Sequence, residues 1–258
     1  MNLPHDRLKF AIWKREPLSK RVFDVSIALL LLATSMPVLL VAGAAIKLTS
    51  RGPIFYFQPR RGLNGQVFDI CKLRTLWHDR CDRPDHHEIT AVEEDDGRVF
   101  GVGRFLRNRG LDEIPQLWNV LCGDMSIVGP RPHAVAHDDL YIADIPGYRA
   151  RYAVKPGITG WAQVNGSRGT IHSLREARQR LALDLEYIAR RSLLLDLLIV
   201  LRTLPLLAAP SGKKQAPRAT LPVGDLRKGP VDRQHPLPPN AEREATAQSM
   251  PVAFRATE

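Results

Sequence analysis

The sequence predicts an α+β fold associated with a membrane, and three observations predict it. One uncharged stretch, VSIALLLLATSMPVLLVAGAAI, runs from Val25 to Ile46. Two short apolar runs within 53–76 flank Gly62-Leu63-Asn64-Gly65, the pattern of a small β-hairpin. Further along, Leu181, Leu185 and Ile188 recur at helical spacing with charged residues between them, so one helix face is apolar.

Composition narrows the partners. The 258 residues carry 37 Lys+Arg against 27 Asp+Glu, a net charge of +10. That excess favours a polyanion: nucleic acid, an anionic membrane face or a phosphorylated substrate. A hydrophobic content of 44% excludes a wholly disordered chain. Three widely spaced cysteines, Cys71, Cys81 and Cys122, make no disulfide framework. Cys71, His78, Cys81, His86 and His87 cluster in sequence, but their spacing follows no zinc pattern and reads as a polar loop.

The elements follow in order. Residues 1–21 are a polar, basic arm. Residues 22–50 form the membrane element: about 22 apolar residues at 1.5 Å each make roughly 33 Å of helix, enough for a bilayer core. Pro37 lies near its middle and predicts a bend, with Thr34 and Ser35 able to satisfy backbone groups beside the break. Both flanks are basic, Lys14, Arg15, Lys20 and Arg21 before, Lys47 and Arg51 after. Positive charge prefers the cytoplasmic side, so a re-entrant helix–break–helix that dips and returns competes with a kinked span. Residues 51–207 form the body. The hairpin opens it, and a charged loop with Pro84 and the acidic run from Glu93 to Asp96 follows. Residues 103–122 read as helix, interrupted near Gly110 and restarting at Asp112. Residues 129–133 and 156–169 are rich in Gly and Pro and read as loops. Helix returns from about Leu174 to Leu204. Ser192 caps a second piece, Pro205 breaks it, and Asp196 and Arg202 fall on its wet side if it lies at the lipid surface. A helix packed on the core fits the same period. The tail, 208–258, is rich in Pro and charge without period and is expected to be disordered.

Residues 111–132, LDEIPQLWNVLCGDMSIVGPRP, concentrate the chemistry. Asp112 is a good N-cap for the helix that follows, with Pro115 in its first turn. A helix start suits phosphate. A carboxylate is ionised at neutral pH and needs no base to act as a nucleophile. Adjacent helical side chains diverge by about 100°, so Asp112 and Glu113 take different roles: one attacks phosphorus, the other holds a divalent ion. Arg104, Arg107 and Arg109 precede the pair, and Lys72 and Arg74 approach from the strand. Arg131, stiffened between Pro130 and Pro132, makes a phosphate clamp.

With these motifs in view, residues 20–207 resemble the bacterial sugar transferases, the monotopic phosphoglycosyl transferases that start exopolysaccharide and O-antigen synthesis. The matches run in order: KRVFD at 20–24, the block ending KLRTL at 72–76, DGRVFGVGRFLR at 96–107, the 111–132 segment, KPGITGWAQVNGSRG, and LDLEYIARRSLLLDLLIVLRTL. The resemblance implies a cytoplasmic catalytic domain over 51–207 on the bacterial inner membrane. It implies a ping-pong reaction in which Asp112 attacks a UDP-sugar, forms an aspartyl phosphosugar and releases UMP. Undecaprenyl phosphate, or another polyprenyl phosphate, then takes the phosphosugar. Mg2+ is implied as cofactor, with Glu113 and Asp112 as its acidic residues. The VNGSRGTIHSL stretch most resembles the glucose- and galactose-1-phosphate transferases. Trp161 and Gln163 in the PGITGWAQVNG loop would frame nucleotide or sugar, Trp161 by stacking and Gln163 by hydrogen bonding; a Trp closing a Gly-rich turn fits as well.

The chain departs from the family in three places. Met36-Pro37 stands for a Ser-Pro pair, Arg109-Gly110 replaces a hydroxyl-rich pair, and Arg190 to Asp196 lack two tryptophans. Anionic lipids are expected partners and nucleic acid is not, since the arginines cluster around carboxylates and glycines rather than among aromatics. A homodimer is compatible with the sequence, which leaves oligomeric state open. The rival readings are a catalytically inactive membrane-anchored scaffold, which the intact Asp112-Glu113 argues against, and a nucleic-acid-binding protein, which requires salt-dependent binding.

Overall fold

A computed structural model of the chain describes residues 16–81 and 96–208. The arm up to residue 15, His86 and His87, Glu93 with its two acidic neighbours, and the tail from residue 209 lie outside the described residues.

Helix α1 spans Leu18–Thr49, 32 residues, with Pro37 inside it. It starts earlier than expected, so Lys20 and Arg21 belong to the helix rather than to an arm. It also runs through Pro37 without interruption, in place of the helix–break–helix expected over 22–50. Proline keeps a helical φ and removes one N–H. The hydroxyls beside it bond backwards along the same helix: Thr34 Oγ1 donates to the Leu30 carbonyl at 2.9 Å and Ser35 Oγ to that of Leu32 at 3.2 Å. The helix is long and apolar enough to cross a membrane. Leu30, Leu40 and Val41 are 64%, 68% and 71% exposed.

Both ends of α1 are tied to the body. At the start, Arg21 donates to the carbonyls of Val120 and Leu121, both at 2.6 Å, and Lys20 pairs with Asp24 and Asp196. At the finish, Arg74 donates to the Ser50 carbonyl and hydroxyl and to the carbonyls of Pro53 and Leu76.

The hairpin forms as expected. Strands β1, Phe55–Arg61, and β2, Val67–Leu73, pair antiparallel from Phe55↔Leu73 to Arg61↔Val67. Helix α2, Gly101–Arg109, ends at Gly110, whose left-handed φ of 67° suits a residue without Cβ. A 3₁₀ turn, Leu111–Glu113, and helix α3, Gln116–Cys122, follow. Strand β3, Ser126–Val128, pairs parallel with β4, Gly157–Thr159. The stretch 156–169 is therefore more than loop: β4 and the short helix α5, Trp161–Val164, lie within it. Its glycines permit this. A Cβ on Gly157 would meet the Gly129 nitrogen at 2.0 Å, so the two backbones touch only because neither residue carries a side chain there.

Three further elements complete the body: α4, Val135–Asp144, a 3₁₀ helix at Tyr148–Ala153, and α6, Leu174–Arg190. The last helix, α7, Leu193–Ala208, starts where expected, with Ser192 Oγ accepting the Leu195 N–H at 3.2 Å. It continues through Pro205 instead of breaking there. Asp196 is not on a wet face but only 2% exposed, bonded to Tyr187 and Lys20. The main core joins Ala28 of α1, Ile70 of β2, Val120 of α3, Ile127 of β3, Ile188 of α6 and Ile199 of α7.

Candidate active site

The acidic pair sits at a forced change of direction. Gly110 ends α2, and the 3₁₀ turn brings Asp112 and Glu113 to the mouth of α3. Asp112 is not the N-cap of α3: it lies inside the turn, and Pro115 occupies the cap position without a side-chain hydrogen bond. The turn is tighter than an α-helix, so neighbouring side chains diverge by about 120°.

Helix α3 is pinned so that this turn cannot drift. Asn119 accepts the Cys71 N–H at 2.9 Å and donates to the Asp69 carbonyl at 2.8 Å, locking α3 to β2. Arg21 meets the carbonyls at the other end of α3, where cations suit the helix dipole.

Glu113 is fully engaged. Its Oε1 accepts from Lys72 Nζ at 3.2 Å, its Oε2 from Arg131 Nη1 at 3.0 Å, and the second guanidinium nitrogen of Arg131 bonds Oε1. Burial opposes its ionisation, but Arg131 and Lys72 outweigh burial and hold the carboxyl well below the usual range. Asp112 is the opposite. It is 8% exposed, and no described residue donates a hydrogen bond to its carboxylate. Burial and the Glu113 charge push its carboxyl up, against the pull of Lys72, Arg107 and Arg131. A desolvated carboxylate without donors is the more reactive base and nucleophile of the two.

The structure brings Lys72, Arg107 and Arg131 to this pair. Arg107 is held by Thr75 Oγ1 at 3.4 Å and acts on Asp112 by charge. Other expected residues are placed elsewhere. Arg74 is 1% exposed and engaged with backbone at the exit of α1. Arg104 is exposed on α2 and contributes no hydrogen bond among the described residues to the pair. Trp161 Nε1 donates to Glu186 at 3.1 Å, and the Arg202 guanidinium lies 5.5 Å from its ring centre. Gln163 Nε2 donates to the Ile158 carbonyl at 3.1 Å, within its own turn, while its Oε1 is buried without a partner among the described residues.

Sequence reasoning missed a second layer. Arg60 on β1 reaches the Pro132 carbonyl; burial first, then the Arg131 charge, lowers it to about 10. Behind Arg131 stand His133, Asp138, Tyr148, Arg151, Arg180 and Asp184. His133 is held well below its usual value by burial and then by the cations Arg151 and Arg180, so it is neutral. Two signals pointed this way. Adjacent arginines in QPRRG must point to opposite faces of a strand, so one faces the body. Tyr148 and Arg151, three apart, share one face of a 3₁₀ helix.

Among the described residues no group of three or more His, Cys, Asp or Glu is placed to hold a metal. Cys71 and Cys122 are free thiols, and burial pushes Cys71 up to about 11. Two adjacent carboxylates, one uncommitted, fit an ion that binds through one or two carboxylates together with water and substrate phosphate.

The chain matches the model of the family described as bacterial sugar transferase over residues 15–209. It is 55% identical over 188 residues to a UDP-glucose:undecaprenyl-phosphate glucose-1-phosphate transferase of Caulobacter vibrioides, covering 73% of this chain and 69% of that protein. It is 46% identical to a protein of the same name from Escherichia coli, over 72% of this chain and 39% of that protein. It is 43% identical to an undecaprenyl-phosphate glucose phosphotransferase of Komagataeibacter xylinus, over 75% of this chain and 37% of that protein. The matched segment thus spans about two fifths of the length of the latter two relatives.

Proposed function

The chain belongs to the bacterial sugar transferase family, and on that premise we propose that it moves a hexose-1-phosphate from a UDP-sugar to undecaprenyl phosphate through a covalent intermediate on Asp112. Glucose-1-phosphate is the favoured group, because the names of all three relatives specify glucose.

The observation that carries this reading is the asymmetry of the acidic pair: Glu113 is saturated by Lys72 and Arg131, while Asp112 keeps its oxygens free in a buried cationic setting. An Asp112 oxygen attacks the sugar-bearing phosphorus. The bond from that phosphorus to the bridging oxygen breaks, and UMP leaves with the electron pair. An oxygen of the lipid phosphate then attacks the aspartyl phosphosugar. The Asp112–phosphorus bond breaks, restoring the carboxylate and yielding the lipid diphosphate sugar. Nucleophile and leaving group are both anions, so neither step needs a general acid or base. Lys72, Arg107 and Arg131 hold the diphosphate by charge, and Arg131 orients it with its planar fork. Mg2+, for which Asp112 is the carboxylate with uncommitted oxygens, would supply charge neutralisation at the diphosphate.

The reaction sits at the membrane surface, on the cytoplasmic face of the inner membrane, where a soluble donor meets a lipid acceptor. Both ends of α1 are hydrogen-bonded to the same body. A straight crossing would separate those ends by the bilayer, which supports a helix embedded from one side with the body beneath it. Exposed leucines on α1 and α7, with Arg190 and Arg191 nearby, supply apolar area and positive charge for anionic lipid.

The test is to incubate membranes carrying the full chain with UDP-glucose, UDP-galactose or UDP-N-acetylhexosamines and polyprenyl phosphate. UMP release and a phosphohexose mass on the Asp112 peptide, trapped without acceptor, are expected. Undiminished product from D112N overturns the assignment.

A further inference from the structure

The backbone pairing that carries the chain toward Arg131 stops just short of it. The Gly129 N–H donates to the Thr159 carbonyl at 2.9 Å, and the Pro130 carbonyl accepts the Gly157 N–H at 3.0 Å. Beyond that, Pro132 has no N–H, and β4 has turned into α5. Two guanidiniums take over from the strand. Arg151 Nη2 donates to the Arg131 carbonyl at 2.6 Å, and Arg60 Nη1 donates to the Pro132 carbonyl at 3.3 Å. They come from different elements, Arg60 from the hairpin and Arg151 from the 3₁₀ helix at 148–153.

Arg151 is itself rigidly placed. It is 3% exposed. Its Nε and Nη2 donate to Asp184 Oδ2 of α6 at 3.2 and 2.9 Å, and its Nη1 meets the Tyr148 hydroxyl at 3.1 Å and His133 Nδ1 at 2.9 Å. Asp138 lies 3.5 Å from the same guanidinium. An arginine can do this because its donors point in fixed, divergent directions. A lysine ammonium at one point cannot reach a carboxylate on one side and a carbonyl on the other.

We propose that Arg151 and Arg60 are positioning residues that grip consecutive carbonyls of the Pro130–Pro132 turn and so aim the Arg131 side chain at Glu113 and the substrate diphosphate. The proposal rests on the transferase reading for its consequence, though not for its geometry. Neither residue touches the reacting atoms; each acts through Arg131. The prolines stiffen the turn, and the two arginines set its direction.

The experiment is a double-mutant cycle on the full chain in lipid nanodiscs, following UMP release from UDP-glucose. R151K should lower kcat/KM by about 10- to 100-fold, the range a displacement of about 1 Å produces. In an R131A background the same change should cost less than about twofold, because the residue it positions is gone. An R151K penalty of equal size on both backgrounds overturns the proposal, since Arg151 would then act by another route. If R151K does not fold, the same cycle is run with R60K, whose site is on the hairpin. Hydrogen exchange of the peptide spanning 126–134 supplies a readout that needs no activity. Faster exchange there than in α1 is expected in either lysine variant, and unchanged exchange overturns the clamp. Wild-type protein that releases no UMP from any UDP-sugar while the exchange result holds would sink the transferase reading and leave the clamp standing.

Discussion

Two places in this molecule set one lysine against a pair of carboxylates, and they do opposite things. Lys20 faces Asp24 and Asp196 at 2.9 and 2.8 Å, with side chains 12%, 1% and 3% exposed. There both carboxylates are engaged: Asp24 Oδ1 also accepts the Ile127 N–H, and Asp196 Oδ1 accepts the Tyr187 hydroxyl. Lys72 bonds Glu113 and acts on Asp112 by charge alone, with Lys72 and Glu113 side chains 18% and 25% exposed. There Glu113 is saturated and Asp112 is not. The Lys20 cluster closes a junction between α1, α7 and β3. The Lys72 cluster leaves an oxygen over. A polar cluster in which each carboxylate has partners holds a fold together, and one with a carboxylate left over is available for chemistry.

Mutation can break or sharpen this contrast. The largest effect is expected from D112N: turnover falls more than about a thousandfold, while thermal stability stays level or rises because a poorly solvated charge is gone. A melting temperature that fell with activity would erase the distinction between the sites. K20M should behave conversely, leaving two buried carboxylates without their cation and costing about 3–5 kcal/mol of stability. Chemical denaturation in nanodiscs measures it, and the rate per folded molecule at low temperature should stay within a few-fold of wild type.

E113Q is intermediate. It loosens Lys72 and Arg131 together, and UMP release should fall by about a hundredfold, the cost of removing one preorganised electrostatic partner. Smallest is a pH effect. The folded-state carboxyl of Glu113 is depressed, so its contribution is complete above the unfolded value of about 4.3 and is lost as pH falls through the folded value. The melting-temperature gap between wild type and E113Q should therefore be constant from neutral pH to about pH 5 and close only in stronger acid. Asp196 leans the other way: burial lifts its carboxyl against the pull of Lys20 and Tyr187, so its ionisation lowers stability as pH rises. A gap that closed first near neutrality would reverse this assignment.

Much of the site was legible in the sequence because it is local. Asp112 and Glu113 are adjacent, Arg131 is bracketed by prolines in the same segment, and turn chemistry at Gly62–Gly65 announces the hairpin that carries Lys72. Errors arose where a residue's role depends on what packs against it. Arg74, two positions from Lys72 and equally basic, went to the exit of α1 because the strand ends there. Asp196 looked like a wet-face residue because periodicity shows which residues share a face, not what that face meets. Pro37 and Pro205 looked like breaks, yet both helices run through them.

By itself, then, the order of residues determined the long apolar helix, the hairpin, the acidic pair and the family, since each is written in neighbouring residues or in motifs that need no partner. Only the tertiary structure decided which carboxylate is saturated and which is free, that α1 is fastened to the body at both ends, and that Arg60 and Arg151 meet at one turn. Those outcomes join residues 18 to 100 positions apart. Hydrogen-bond satisfaction at such range depends on the packed geometry, which no local spacing encodes.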